Sequence, residues 1–121
     1  MKKKFAVMAI AGAALCMAAM PACAAEDLIT VGYAQVGHES DWRTANTQNY
    51  QDVFSEEAGY SLDLVDCDND NAAQLEAVRT FINKEMDYII IAPIQSAGWD
   101  TVLQEAQDAG IPVIIADREI E

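Results

Sequence analysis

Tyr88-Ile89-Ile90-Ile91-Ala92-Pro93 is a near-continuous apolar run closed by a proline. A run of this length with no polar face reads as a strand covered on both sides, the kind that lies inside a parallel sheet. Downstream, Ser96 is placed to cap a helix whose buried stripe is Trp99, Val102, Leu103 and Ala106. Gly110 stops that helix and Pro112 prevents its continuation, so Pro112 to Ala116 reads as the next strand.

Upstream the same alternation holds. Leu28 to Gln35 is rich in β-formers and is broken by Gly37. From Asp41 to about Ala58 the spacing predicts a helix capped by Ser40, with Tyr50, Val53, Phe54 and Ala58 on one face and Gly59 as its stop. Tyr60 to Val65 is a second strand, and the polar run Asp66 to Asn71 is a loop. The helix that follows runs to about Lys84 with Leu75, Val78, Phe81 and Ile82 inward. The order β-α-β-α-β-α-β specifies an α/β fold: an open parallel sheet with helices on both faces, joined by right-handed crossovers.

The N-terminus has a different character. Lys2, Lys3 and Lys4 precede an uncharged stretch from Phe5 to Ala25, and all 20 acids come later, from Glu26 onward. A basic start, an apolar middle and the small residues Ala22, Cys23, Ala24 and Ala25 form a secretory signal peptide, residues 1–25. By length the stretch would also suit a membrane anchor; its alanine richness and Pro21 favour export. Met20-Pro21-Ala22 is a poor lipobox, yet it leaves a lipid anchor on Cys23 as an alternative. Cleavage removes Cys16 and Cys23, so Cys67 stands without a disulfide partner.

The 121 residues carry 7 Lys+Arg against 20 Asp+Glu, a net charge of −13. Without the three leading lysines the balance is four bases to 20 acids, or −16. Such a chain repels phosphate backbones, and nucleic acid is excluded as a partner. The four-strand pattern ends close to Glu121 and leaves a bare sheet edge, which predicts a fragment of a longer protein.

Ligands of open parallel sheets bind beyond the carboxyl ends of the strands. Two polar clusters fall there: Gly37-His38-Glu39-Ser40-Asp41-Trp42-Arg43 after the first strand, and Asp117-Arg118 after the fourth. In the order 2-1-3-4 those strands are two spacings apart, roughly 10 Å, about the width of a sugar ring. Carboxylates accept from hydroxyls, arginine donates a planar fork, and tryptophan offers an apolar face to ring C–H groups. Arg43 and Arg118 beside nearby acids leave the local charge nearly balanced, which favours a neutral ligand. The plainer reading is a capped helix with Trp42 in the core and an ordinary Asp117–Arg118 loop pair.

Other chemistry finds little support. Asp66-Cys67-Asp68-Asn69-Asp70-Asn71 imitates a calcium loop but has Asn71 where glycine is needed and Ala77 in place of the bidentate glutamate. His38, the only histidine, has no nucleophile or metal-ligand companion and reads as a solvated loop residue. Glu39 and Asp117 could act as a carboxylate pair on a glycosidic bond, which keeps an exported α/β enzyme acting on glycosides as an alternative. No cofactor, catalytic residue or metal site is expected.

Val31 to Arg43, Ile91-Ala92-Pro93, Gly98-Trp99 and Ile111-Pro112-Val113 through Asp117-Arg118 together resemble the type I periplasmic sugar-binding proteins of ABC importers, and among them the galactofuranose binders. The resemblance implies a monomeric, non-enzymatic protein of the periplasm or cell exterior that clamps a monosaccharide between two lobes and presents it to an ABC permease. Residues 26–121 would be most of the first lobe. Glu39, Ser40, Asp41, Trp42 and Arg43 would form the first sugar-contacting loop, with Asp117 and Arg118 completing this lobe's share. Asp41 stands where the family often has glycine. A periplasmic sugar sensor would use the same features.

Overall fold

The computed structural model describes residues 27–121, so the signal peptide and Cys23 lie outside the described residues. Four strands form one parallel sheet: β1 (Ile29–Gln35), β2 (Tyr60–Asp66), β3 (Tyr88–Ile91) and β4 (Val113–Ile115), in the order β2-β1-β3-β4. Tyr33 of β1 stands opposite Leu64 on one side and Ile90 on the other. Three helices connect them: α1 (Asp41–Val53), α2 (Asn71–Asn83) and α3 (Asp100–Asp108). Among the described residues no helix is long and apolar enough to cross a membrane.

Side chains alternate along each strand, and so the sheet builds two cores. Ala34, Ile89 and Ile91 face Val78 and Phe81 of α2 and Trp99 and Val102 of α3. Val31, Tyr33 and Ile90 face the other way, against Tyr50 of α1 and Phe54 just beyond it. The rings of Tyr33, Tyr50, Phe54 and Tyr60 follow one another at centroid separations of 4.3, 5.9 and 5.1 Å. Gly32 permits the closest approach of helix to sheet: a Cβ there would lie 2.5 Å from the Phe81 ring.

Two helix boundaries differ from the sequence expectation. α1 ends at Val53, which is exposed, instead of continuing to Ala58. Phe54 turns out of the helix to pack edge-on against Tyr60. The Ser55 carbonyl then accepts from the N–H groups of both Ala58 and Tyr60. The chain therefore reverses through a 3-10 turn, Glu56–Ala58, closed by Gly59 in the left-handed region at φ 91°. Ser96 does not cap α3; the helix starts at Asp100, with Trp99 in the cap position. Trp99 is buried and its indole N–H donates to the Gln95 carbonyl, so seating this ring decides where the helix begins. The Ser96 hydroxyl pairs with Glu121 instead.

The carboxyl edge is fastened by residues that periodicity does not single out. Buried Gln74 of α2 donates to the carbonyls of Ala34 and Ala92 and accepts from Ile94 N–H, tying β1, β3 and the following loop together. Asp70 caps α2 through the N–H groups of Ala72 and Ala73. Asp66, at the end of β2, holds the Asp68 N–H, so the loop that imitates a calcium site spends two carboxylates on backbone bonds.

Gly32→Ala is expected to destabilise the domain by about 1–3 kcal/mol through overpacking against Phe81. The midpoint of urea unfolding at constant slope is the measurement that checks it.

Candidate functional site

The two clusters predicted from sequence meet beyond the carboxyl ends of β1 and β4. Ser40 is extended (φ −159°, ψ 161°) and its hydroxyl oxygen accepts from Arg43 N–H at 3.1 Å, the expected N-cap of α1. That cap sets Arg43 on the helix's inner side, where it is 3% exposed. Its guanidinium reaches three acceptors: Nε to Glu39 Oε1 at 3.0 Å, Nη1 to Gln35 Oε1 at 3.3 Å, and Nη2 to Asp117 Oδ2 at 2.8 Å. Arg118 closes the figure, with Nη2 3.7 Å from Glu39 Oε1 and Nε 3.8 Å from Asp117 Oδ2.

Glu39, Arg43, Asp117 and Arg118 thus form a ring of alternating charge that sums to zero. Asp117 is not a simple loop partner of Arg118: its shorter contact is to Arg43, contributed by an element 74 residues away. Asp117 has φ 70°, in the left-handed region that a non-glycine residue enters at some cost. Such strain at a ring member is what a site shaped by its contacts looks like.

Glu39 and Arg43 are held as ions. Partial desolvation pushes the Glu39 carboxyl up, but hydrogen bonds from its own backbone and from Arg43 outweigh it and leave the carboxyl below its ordinary value. Burial acts against the charge on Arg43, and the bonds to Asp117 and Glu39 more than compensate.

Trp42 is 57% exposed, which overturns the reading of it as a core residue. The Arg43 guanidinium carbon lies 4.9 Å from the centre of its ring, a cation–π contact that steadies an indole otherwise open to solvent. Asp41 is exposed in the first turn of α1, where a carboxylate suits the helix dipole, and it stands outside the ring of charges. The structure therefore brings together Glu39, Ser40, Trp42, Arg43, Asp117 and Arg118, and leaves Asp41 at the margin.

His38 is not merely a solvated residue: its Nε2 lies 2.7 Å from Asp66 Oδ2, linking the loop after β1 to the end of β2. Cys67 is buried, and burial, with the Asp66 and Asp70 carboxylates adding, pushes its thiol up to about 11, far from a reactive thiolate.

Comparisons with known proteins place the fold in a family. Residues 31–121 match a family described as the periplasmic binding protein domain. The chain belongs to that family. The chain is 43% identical over 104 residues to the galactofuranose-binding protein YtfQ of Escherichia coli (strain K12), covering 86% of this chain and 32% of that one. A Mycobacterium smegmatis protein solved with β-D-fucofuranose shares its fold at a TM-score of 0.73 and 46% identity, over 77% of this chain and 30% of the other. The binding-protein component of the arabinose ABC transporter from Shewanella sp. ANA-3, solved with α- and β-L-arabinofuranose, gives 0.72 and 43%, over 76% and 30%. The chain spans about a third of the length of these relatives.

Arg43→Ala is expected to cost about 1–3 kcal/mol of folding stability, since it removes charge-assisted bonds to two carboxylates and an amide; denaturant unfolding reads it. Because the Glu39 carboxyl lies below its ordinary value when folded, its pairing stabilises the protein above the unfolded carboxylate range and is lost as pH falls through the lowered native value. The gap in melting temperature between wild type and Glu39→Gln should therefore be steady near neutrality and shrink in acid.

Proposed function

We propose that this chain forms most of one lobe of an exported solute-binding component of an ABC sugar importer, holding a neutral monosaccharide of the galactofuranose type. The observation that carries the proposal is the neutral ring of Glu39, Arg43, Asp117 and Arg118 at the carboxyl edge, beside the open face of Trp42. A polyol needs donors and acceptors in nearly equal number and an apolar plate for its C–H face, and these residues supply all three. Phosphate or carboxylate would meet Glu39 and Asp117 as well as the arginines and gain little. The furanose complexes among the relatives support the same ligand class.

In this reading Arg43 and Arg118 donate to sugar hydroxyls, Glu39 and Asp117 accept, and Ser40 gives its remaining hydroxyl proton. Asp41 contributes at the margin. One lobe leaves the sugar open on its far side, so capture is completed by a second lobe closing over a hinge, with sugar and closed state stabilising each other. The closed, monomeric complex is what a membrane permease would receive. Residues 1–25 direct export to the periplasm or cell exterior.

Catalysis is disfavoured by the carboxylates themselves. A glycosidase needs one carboxyl held protonated as an acid, whereas Glu39 is pulled below its ordinary value.

Calorimetric titration with galactofuranose tests the proposal. Residues 26–121 alone should bind weakly or undetectably, because half the hydroxyls stay in water. In a two-lobed protein bearing this sequence, binding should be saturable and without product, and Arg43→Ala or Arg118→Ala should each weaken it by about 1.5–3 kcal/mol. Unchanged affinity in both variants, or turnover of a glycoside, would overturn the assignment.

A further inference from the structure

Gln35, the last residue of β1, is fully buried at 0% exposure, an expensive place for an amide unless all its bonding capacity is used. It is used completely. Oε1 accepts from Val36 N–H at 2.9 Å and from Arg43 Nη1 at 3.3 Å, while Nε2 donates to Asn46 Oδ1 at 2.9 Å and Thr47 Oγ1 at 3.1 Å. Asn46 Oδ1 is shared with the Tyr33 hydroxyl at 3.1 Å. The amide has one permitted orientation, because turning it over would set its NH2 against two N–H donors.

We infer that Gln35 is a positioning residue that fixes the Arg43 guanidinium for ligand, an inference that rests on the proposed sugar-binding role of Arg43. The three acceptors around Arg43 are not equivalent. Glu39 and Asp117 have side chains 40% and 30% exposed and can follow the guanidinium if it moves. Gln35 cannot move, since its other three bonds run to the strand and to the second turn of α1.

A guanidinium has five N–H donors, and the protein claims three of them, which leaves two for a ligand. Without the fixed acceptor, Nη1 would swing toward a carboxylate and the two free donors would leave their place. A neutral amide also keeps the four-charge ring at zero, which a carboxylate at position 35 would not.

The test uses nitrogen-15 NMR of arginine Nη–H groups in the full chain, which has only Arg43, Arg79 and Arg118 to distinguish. Gln35→Met, which removes the acceptor of Nη1, should accelerate Arg43 Nη–H exchange at least about tenfold and leave Arg79 unchanged. Unchanged Arg43 exchange in a folded Gln35→Met protein overturns the inference. Should that variant not fold, Thr47→Val removes one anchor of the amide and must speed Arg43 exchange several-fold, an unchanged rate again being decisive against. In a two-lobed protein bearing this sequence, Gln35→Met should weaken galactofuranose at least about tenfold. A loosened Arg43 with full sugar affinity would keep the positioning and overturn the sugar role of Arg43 instead.

Discussion

A guanidinium taken almost wholly out of water must be met by acceptors, and in this domain that requirement joins the first and last strands of the sheet. Arg43 draws Glu39 from the loop after β1, Gln35 from the end of β1 and Asp117 from the end of β4. The Ser40 cap, the left-handed backbone at Asp117 and the second contact of Arg118 all fit around that one group. Take away the β2-β1-β3-β4 order and the acceptors separate, for β1 and β4 are brought within reach only by β3 lying between them.

The apolar part of the fold supplies the platform. Two cores back the sheet on opposite faces, and the helix ends nearest the carboxyl edge are held by polar devices: Gln74 across β1 and β3, Asp70 on α2, and Ser40 on α1. Each uses a side chain to satisfy backbone groups that would otherwise be stranded at a strand end or in the first turn of a helix. The edge that would meet a ligand is thus fastened by side-chain hydrogen bonds, and its charged groups are set before any ligand arrives. Preorganisation of this kind lowers the cost of ordering side chains on binding.

The relatives that share this fold are named for furanose and related sugars, and the chain spans about a third of their length. A site built from β1, α1 and β4 alone is open on one side. An open site fits the proposed capture by closure, because the final desolvation of the ligand would then be coupled to a change of shape.

How much of this was legible beforehand depended on the range of the forces involved. Strand and helix identity followed from local patterning: the Tyr88–Ala92 run, the 3.6-residue stripe of Val78, Phe81 and Ile82, and Gly110 with Pro112 each carry their own signal. The candidate residues Glu39, Trp42, Arg43, Asp117 and Arg118 could be placed at one edge because parallel strands send all their carboxyl ends the same way.

Boundaries set by tertiary contacts could not be read. α1 stops where Phe54 meets Tyr60, and α3 starts where Trp99 is buried, not at Ser96. The exposure of Trp42, the His38–Asp66 link and the buried Gln35 and Gln74 amides were equally beyond local pattern. A glutamine in a strand or helix looks polar and ordinary until the fold shows what faces it. By itself, then, the sequence determined the order of elements, the edge and the chemical types gathered there. Only the tertiary structure decided which acceptors hold Arg43, because hydrogen bonds between residues 74 positions apart depend on where the sheet brings them and not on their neighbours in the chain.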